Sequence, residues 1–304
     1  MSKQMNNSYI PFKKPGTLTQ YTDHQLKELA KCSVDSAYFI ENYVRIQHPV
    51  RGAIPFNLYP FQQTIVKGLT KYKDVVLLIS RQSGKTQTIS SYILWYAMFN
   101  PDKTILIVAN KLNQAIEIMD RIRYSYSELP DWLRDSTPDY NKSTITFSNG
   151  SRIVCRATTP DAGRGLSISL LYIDEFAFIR PNMQEAFWTS IQPTLSTGGR
   201  CIITSTPNTD SDIFAQVYKN AENTIDEQGN TTDVGFNGFK AYKFTWKDHP
   251  ERDEEWAKKE RAKLADEGRF LREHECISGD SIVTIKLESG EILDCQIEDL
   301  YKYL

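Results

Sequence analysis

A chain of 304 residues with 40% hydrophobic and 12% aromatic content and a formal net charge of −2 has the composition of a folded globular protein, which excludes a disordered or fibrous one. At roughly 150 residues per domain the length suits two domains, or one α/β domain with additions. No run approaches the roughly 18 uninterrupted apolar residues of a membrane helix, and the start MSKQMNNSYI lacks the apolar stretch of a signal peptide, so a cytoplasmic protein with no membrane partner is expected. The five cysteines are odd in number and widely spaced, with no Cys-x-x-Cys pair, and are expected to be free thiols. Charge becomes informative when the chain is divided. Residues 276–304 hold six acids and two lysines, leaving 34 bases and 32 acids in 1–275, a balance that neither demands nor excludes a polyanionic partner.

Residues 1–54 form a polar extension with a helix-like stretch, DHQLKELAKCSVDSAYFIENYV, and no chemical signature. From residue 55 the pattern changes. LYPFQQ (58–63) offers an aromatic that could stack on a nucleobase and Gln62 to read its edge, or simply a core aromatic. DVVLLI (74–79) reads as a buried strand, and the segment after Lys85 as a helix. TILIVA (104–109), LLYI (170–173) and RCIIT (200–204) repeat the strand pattern, and LNQAIEIMDRIRYSYSEL (112–129) and NMQEAFWTS (182–190) the helical one. Such alternation predicts a mostly parallel sheet covered by helices. One hairpin interrupts it, in TITFSNGSRIVCRA, where Asn149 and Gly150 suit a tight turn. The polar run 220–238 reads as a surface loop, and 251–275 as a charged helix closing the domain.

The turn after DVVLLI carries the chemistry. Phosphates require backbone N–H groups converging at a helix N-terminus, a lysine beside the outer phosphates and a hydroxyl for Mg²⁺. Gly84, Lys85 and Thr86 supply these in order, with Ser80, Arg81, Gln82 and Ser83 completing the loop. The fit to G-x-x-x-x-G-K-[ST] is imperfect, because Ile79 occupies the first glycine position. About 90 residues on, LLYIDEF ends an apolar strand in two acids, Asp174 and Glu175. The first of such a pair holds Mg²⁺ and the second orients and deprotonates the attacking water, so together the two motifs predict a P-loop ATPase using ATP and Mg²⁺. Arg81 either reaches the γ-phosphate or is a surface arginine. Thr204, Ser205 and Thr206, in TSTPN, either sense that phosphate or only shape the turn at Pro207.

In this order, SRQSGKT, PDAGRGLSISLLYIDEFAFI and IITSTPN resemble the ATPase motor of the large terminase subunit of tailed bacteriophages over roughly 55–275, the missing early glycine included. The resemblance implies roles for individual residues: Gln62 at adenine, Arg81 as the loop arginine, and Lys85 and Thr86 at phosphate and metal. It also implies Asp174 as the metal acid, Glu175 as the catalytic carboxylate, and Ser205 and Thr206 in the coupling motif. Implied partners are double-stranded DNA, the portal and the small terminase subunit, in the host cytoplasm. A ribonuclease-H-like nuclease domain would follow, but only 29 residues lie beyond 275, so this chain is not expected to cut DNA. A helicase-like translocase and a non-hydrolysing nucleotide-binding scaffold are the alternatives.

At Cys276 the character changes again. SIVTIKL and EILDCQI flank Ser289 and Gly290 as a β-hairpin, and EDLYKYL reads as a short helix. With its leading cysteine and Ile-Glu-Asp-Leu ending, 276–304 resembles the N-terminal fragment of a split intein. The resemblance implies Cys276 as the nucleophile that attacks the Glu275 carbonyl. It also implies a complementary C-terminal fragment on a separate chain, carrying the nuclease domain. An ordinary buried thiol on an edge hairpin is the alternative.

Overall fold

The computed structural model describes residues 12–226, 228–278, 281–287, 290 and 292–296. Helices α1 (Asp23–Val34) and α2 (Ser36–Tyr43) lead into a hairpin, β1 (Arg45–His48) and β2 (Gly52–Pro55), and then α3 (Pro60–Lys71). Next come β3 (Asp74–Ile79), α4 (Lys85–Phe99), β4 (Thr104–Ala109) and α5 (Leu112–Glu128). Three strands follow, β5 (Asp139–Tyr140), β6 (Thr144–Thr146) and β7 (Arg152–Ala157). Then β8 (Leu170–Asp174), α6 (Pro181–Ser196), β9 (Arg200–Ser205), α7 (Ile213–Glu222) and β10 (Phe239–Phe244) complete the sheet. The chain continues through α8 (Glu254–Leu264) and α9 (Glu267–Phe270) to β11 (Ile282–Lys286) and β12 (Ile292–Gln296).

The eight-stranded sheet has the order β10-β3-β9-β8-β4-β7-β6-β5, parallel from β10 to β7, with β6 and β5 antiparallel at one end. Both faces are covered, which explains the unbroken apolar runs. Along β3, Val75, Leu77 and Ile79 enter one core cluster while Val76 and Leu78 enter the other, the two-residue period of a strand buried on both sides. Helix α4 is buried nearly all round, as a helix apolar on every face must be. The expected α/β fold, a mostly parallel sheet flanked by helices with a small C-terminal hairpin, is the fold observed.

Local differences have local causes. The first helical stretch breaks at Asp35, whose backbone is extended and whose carboxylate accepts from Tyr38 N at 2.9 Å, capping α2. Gly150, at φ 85°, makes the expected turn between β6 and β7, and the Asn149 amide donates to the Ala97 and Met98 carbonyls. The segment 251–275 is not one helix. Ala265 adopts φ 51° and ends α8, Asp266 caps α9, and Leu271–Glu275 forms a π-helical turn that stops at Cys276, φ 57°. Strands β11 and β12 pair antiparallel, Ile282 opposite Gln296 and Lys286 opposite Ile292, as a sheet separate from the large one. Gly290 has φ 89°; Ser289 and the helix expected over 298–304 lie outside the described residues.

Leu77 is fully buried in the strand that leads into the phosphate loop. Leu77→Ala should lower unfolding free energy by roughly 2–5 kcal/mol in urea titration, and a loss well under about 1 kcal/mol would contradict its place in the core.

Candidate functional site

Strand order brings the motifs together. Strand β9 lies between β3 and β8, so the loop after β3, the acids ending β8 and the hydroxyls ending β9 share the carboxyl edge of the sheet. This edge is where open α/β sheets place their ligands. Register makes the adjacency specific: Thr204 is opposite Leu77 on one side and Asp174 on the other.

The loop from Ser80 to Gly84 turns from β3 into α4 through two left-handed residues, Gln82 (φ 55°) and Gly84 (φ 76°). A Cβ at Gly84 would lie 2.7 Å from Gln62 Nε2, so position 84 needs glycine for space as well as for conformation. Ser83 Oγ donates to the Ser80 carbonyl at 2.7 Å, tightening the turn. Gln62, 2% exposed, braces it from α3: its Oε1 accepts from Tyr59 N at 3.0 Å and its Nε2 donates to the Ser83 carbonyl at 3.0 Å. Gln62 also lines a cavity of about 440 Å³ with Tyr59, Gln82, Gly84 and His249. The Tyr59 and His249 rings lie 4.7 Å apart, and burial lowers the His249 pKa, favouring a neutral ring.

Lys85 opens α4 and forms ion pairs with Glu175 and, at 3.9 Å, with Asp174. Asp174 Oδ1 accepts from Tyr172 Oη and from Thr204 Oγ1, each at 2.9 Å. Burial and the Asp174 charge raise the Tyr172 pKa well above its ordinary value, so the hydroxyl keeps its proton and donates. Glu175 has left-handed backbone, φ 51°, and its Oε2 accepts from Ser205 Oγ at 3.4 Å and Thr206 N at 3.3 Å. Ser205 Oγ also accepts from Ala177 N at 3.2 Å. Thr86, Asp174 and Glu175 line a further cavity, about 140 Å³, with Glu117 and Arg121 of α5. Two buried hydroxyls at this edge, Ser80 Oγ and Thr206 Oγ1, have no hydrogen-bond partner among the described residues.

Arg81 is turned elsewhere. Its guanidinium pairs with Glu273, and its backbone N donates to the Glu273 carbonyl at 2.9 Å. Arg252 holds the same turn, donating to Gln82 O at 2.7 Å and Arg81 O at 3.3 Å. Sequence reasoning did not find Tyr172, Glu273 or Arg252. Tyr172 alone left a signal, standing two residues before Asp174 and so on the same strand face.

Cys276 is 3% exposed and packs in the core cluster that contains Tyr218 and Phe239. Its Sγ donates to the Phe244 carbonyl at 3.5 Å, an oxygen that also accepts from Ser80 N at 2.9 Å. Burial pushes the thiol up to about 12. The Glu275 carboxylate accepts from Trp246 Nε1 at 2.7 Å and lies 3.6 Å from Lys247 Nζ. Ser278 and Ser281 bond Asp210, on the loop that precedes α7.

Residues 76–298 match the family described as terminase large subunit, T4likevirus-type, N-terminal, and the chain belongs to that family. Its fold is similar to the large terminase ATPase domain of Thermus phage P74-26, with TM-score 0.59 and 22% identity over 73% of this chain and 94% of that one. It is also similar to the large terminase of bacteriophage HK97, with TM-score 0.64 and 17% identity over 83% of this chain and 56% of that one. The large terminase of a thermophilic bacteriophage, solved in complex with ADP, gives TM-score 0.55 and 15% identity over 72% of this chain and 53% of that one. The chain thus spans little more than half the length of these last two proteins.

At pH 8 the neutral, buried Cys276 thiol should react with iodoacetamide on the order of a thousandfold more slowly than a free cysteine of pKa about 8.5. The rate should climb about tenfold per pH unit and not level off below about pH 12, because the thiolate is the reacting form. Peptide mass spectrometry separates Cys276 from the other four cysteines; labelling at the free-cysteine rate would contradict its burial.

Proposed function

We propose that residues 55–275 are the ATP-hydrolysing motor of a phage DNA-packaging terminase, working on double-stranded DNA with the portal and small terminase subunit in the host cytoplasm. The observation that carries this reading is the meeting of Lys85 with Asp174 and Glu175 beside the Thr204–Thr206 turn. Among the described residues no helix is long and apolar enough to cross a membrane.

Each residue then has a task. The loop N–H groups receive phosphate oxygens, and Lys85 leaves the two acids for the outer phosphates. Thr86 and Asp174 would hold Mg²⁺, since hydroxyl and carboxylate are hard oxygen donors. Mg²⁺ held there would supply positive charge against the negative charge that develops on the phosphates. Tyr172 and Thr204 fix the Asp174 carboxylate. Glu175, released from Lys85, takes a proton from the attacking water. Ser205 and Thr206 contact that carboxylate directly, so its displacement after turnover reaches β9.

Residues 276–304 are proposed as the N-terminal fragment of a split intein. In the first step Cys276 Sγ attacks the Glu275 carbonyl carbon; the peptide C–N bond breaks, a thioester forms, and the freed amine takes up a proton. The family match runs through Cys276 to residue 298 and does not mark this boundary. Support comes from the end of the helical segment at Glu275, the separate hairpin sheet, and the exposed Ile282 (71%) and Ile292 (65%) on that hairpin, apolar surface suited to a complementary fragment. That fragment would carry the nuclease half.

Glu175→Gln should lower ATP turnover by roughly 10²–10⁴-fold with nucleotide binding retained, and Lys85→Ala should abolish it. Normal ATP binding with phosphate release unchanged in both variants would favour a non-hydrolysing scaffold. For the tail, mass spectrometry of the large terminase from infected cells should find Glu275 joined to residues not encoded here, with 276–304 excised. Recovery of the 304-residue chain alone, with its tail intact, would remove the intein reading.

A further inference from the structure

The π-helical turn Leu271–Glu275 lies against the phosphate loop, and its acid holds the loop arginine. Glu273 is 8% exposed, whereas the Arg81 side chain is about half exposed. A buried carboxylate needs a counter-charge, and removing the only one would be strongly destabilising. Glu273 has two. Arg272 Nε stands 3.9 Å from its other oxygen, so Arg81 can leave without stranding the buried charge. The loop backbone stays in place through the Arg81 N to Glu273 O bond and through Arg252 on the Arg81 and Gln82 carbonyls. A fixed backbone, a mobile guanidinium and a carboxylate with a second cation make an exchangeable contact. Arg269, Arg272, Glu260 and His274 line the cavity of about 430 Å³ into which Arg81 also faces.

We propose that Glu273 is a positioning residue that holds Arg81 away from the nucleotide until a γ-phosphate takes the guanidinium from it. The inference rests on the reading of the loop as a nucleotide site. ADP lacks the competing group and leaves the pair intact, so the contact separates triphosphate from diphosphate.

The test uses the full 304-residue chain, with ATPγS and ADP as probes in titration calorimetry. Glu273→Gln, which removes the competitor, should tighten ATPγS on the order of tenfold while ADP changes less than about twofold. In an Arg81→Gln background Glu273→Gln should change neither affinity. A merely structural role predicts the opposite, equal weakening of both nucleotides with or without Arg81, and that result would overturn the proposal. Should Glu273→Gln fail to fold, Glu273→Asp keeps the charge at shorter reach and should shift ATPγS in the same direction; an unchanged ratio would be equally fatal. Binding of neither nucleotide by the wild-type chain would sink the site reading and this inference with it, whereas equal shifts sink the inference alone.

Discussion

One ammonium and two carboxylates meet at the carboxyl edge of the sheet, and the surrounding structure holds them there. Lys85, Asp174 and Glu175 are largely withdrawn from water, with side chains 10%, 14% and 33% exposed, and the lysine pairs with both acids. Strand order does the gathering, because β9 between β3 and β8 sets the lysine and the acids one strand apart on either side of its hydroxyls. The cluster carries one excess negative charge before any ligand arrives. On the proposed reading it exchanges partners: phosphates draw the lysine away, and a cation takes its place beside the acids. Glu175 holds its position in a left-handed conformation that costs a non-glycine residue about 1–3 kcal/mol. The turn that follows stabilises it, with Phe176 and Ala177 buried and Ala177 N bonded to Ser205 Oγ.

Residues whose placement follows from local pattern were legible, and those whose placement depends on long-range contact were not. Lys85, Thr86, Asp174 and Glu175 sit at strand or helix ends, where apolar runs give way to polar groups, and the runs themselves announce strands buried on both faces. Strand β10, FKAYKF, escaped notice because an edge strand keeps polar positions. The hairpin of β1 and β2 is too short and too exposed for its pattern to stand out. The charged stretch 251–275 has a helical composition, yet one left-handed alanine divides it, and alanine carries no sequence signal for a break. The amino-terminal helices read as a polar extension, but Cys32, Phe39 and Ile40 enter the main core, and Trp95 Nε1 donates to the Cys32 carbonyl at 2.7 Å.

Gln62 illustrates why composition alone left its role open. Beside the loop it acts as a brace, with both ends of its amide engaged in holding α3 to Ser83, while its flank forms part of the 440 Å³ cavity. Packing against Gly84 makes the brace and the glycine mutually dependent, since any side chain at 84 would displace the amide that fixes the turn. A residue that shapes the loop from this position also shapes whatever the cavity receives. On the proposed reading, the brace and a binding role for Gln62 draw on the same side chain.

Cys276 and its neighbours are built into the fold. Its thiol and Ser80 N share the Phe244 carbonyl, Glu275 is fastened to Trp246, and Ser278 and Ser281 are fastened to Asp210 on the loop that follows the Thr204–Thr206 turn. A thiol in this setting is neutral and shielded, so a nucleophilic role requires the segment to come away first. On the proposed reading this imposes an order. The hairpin presents exposed isoleucines at 282 and 292 and is joined to the motor through the serine contacts with Asp210, so a complementary fragment meets the hairpin before it meets the cysteine. Binding there competes with those serine contacts, and their loss frees the chain on the carboxyl side of Cys276. Contacts on the amino side, from Glu273 to the phosphate loop and from Glu275 to Trp246, still hold the scissile bond against the motor. On the same reading, premature attack is opposed by contacts that also fasten the turn to the phosphate loop, and an unpartnered half keeps both its tail and its loop in order.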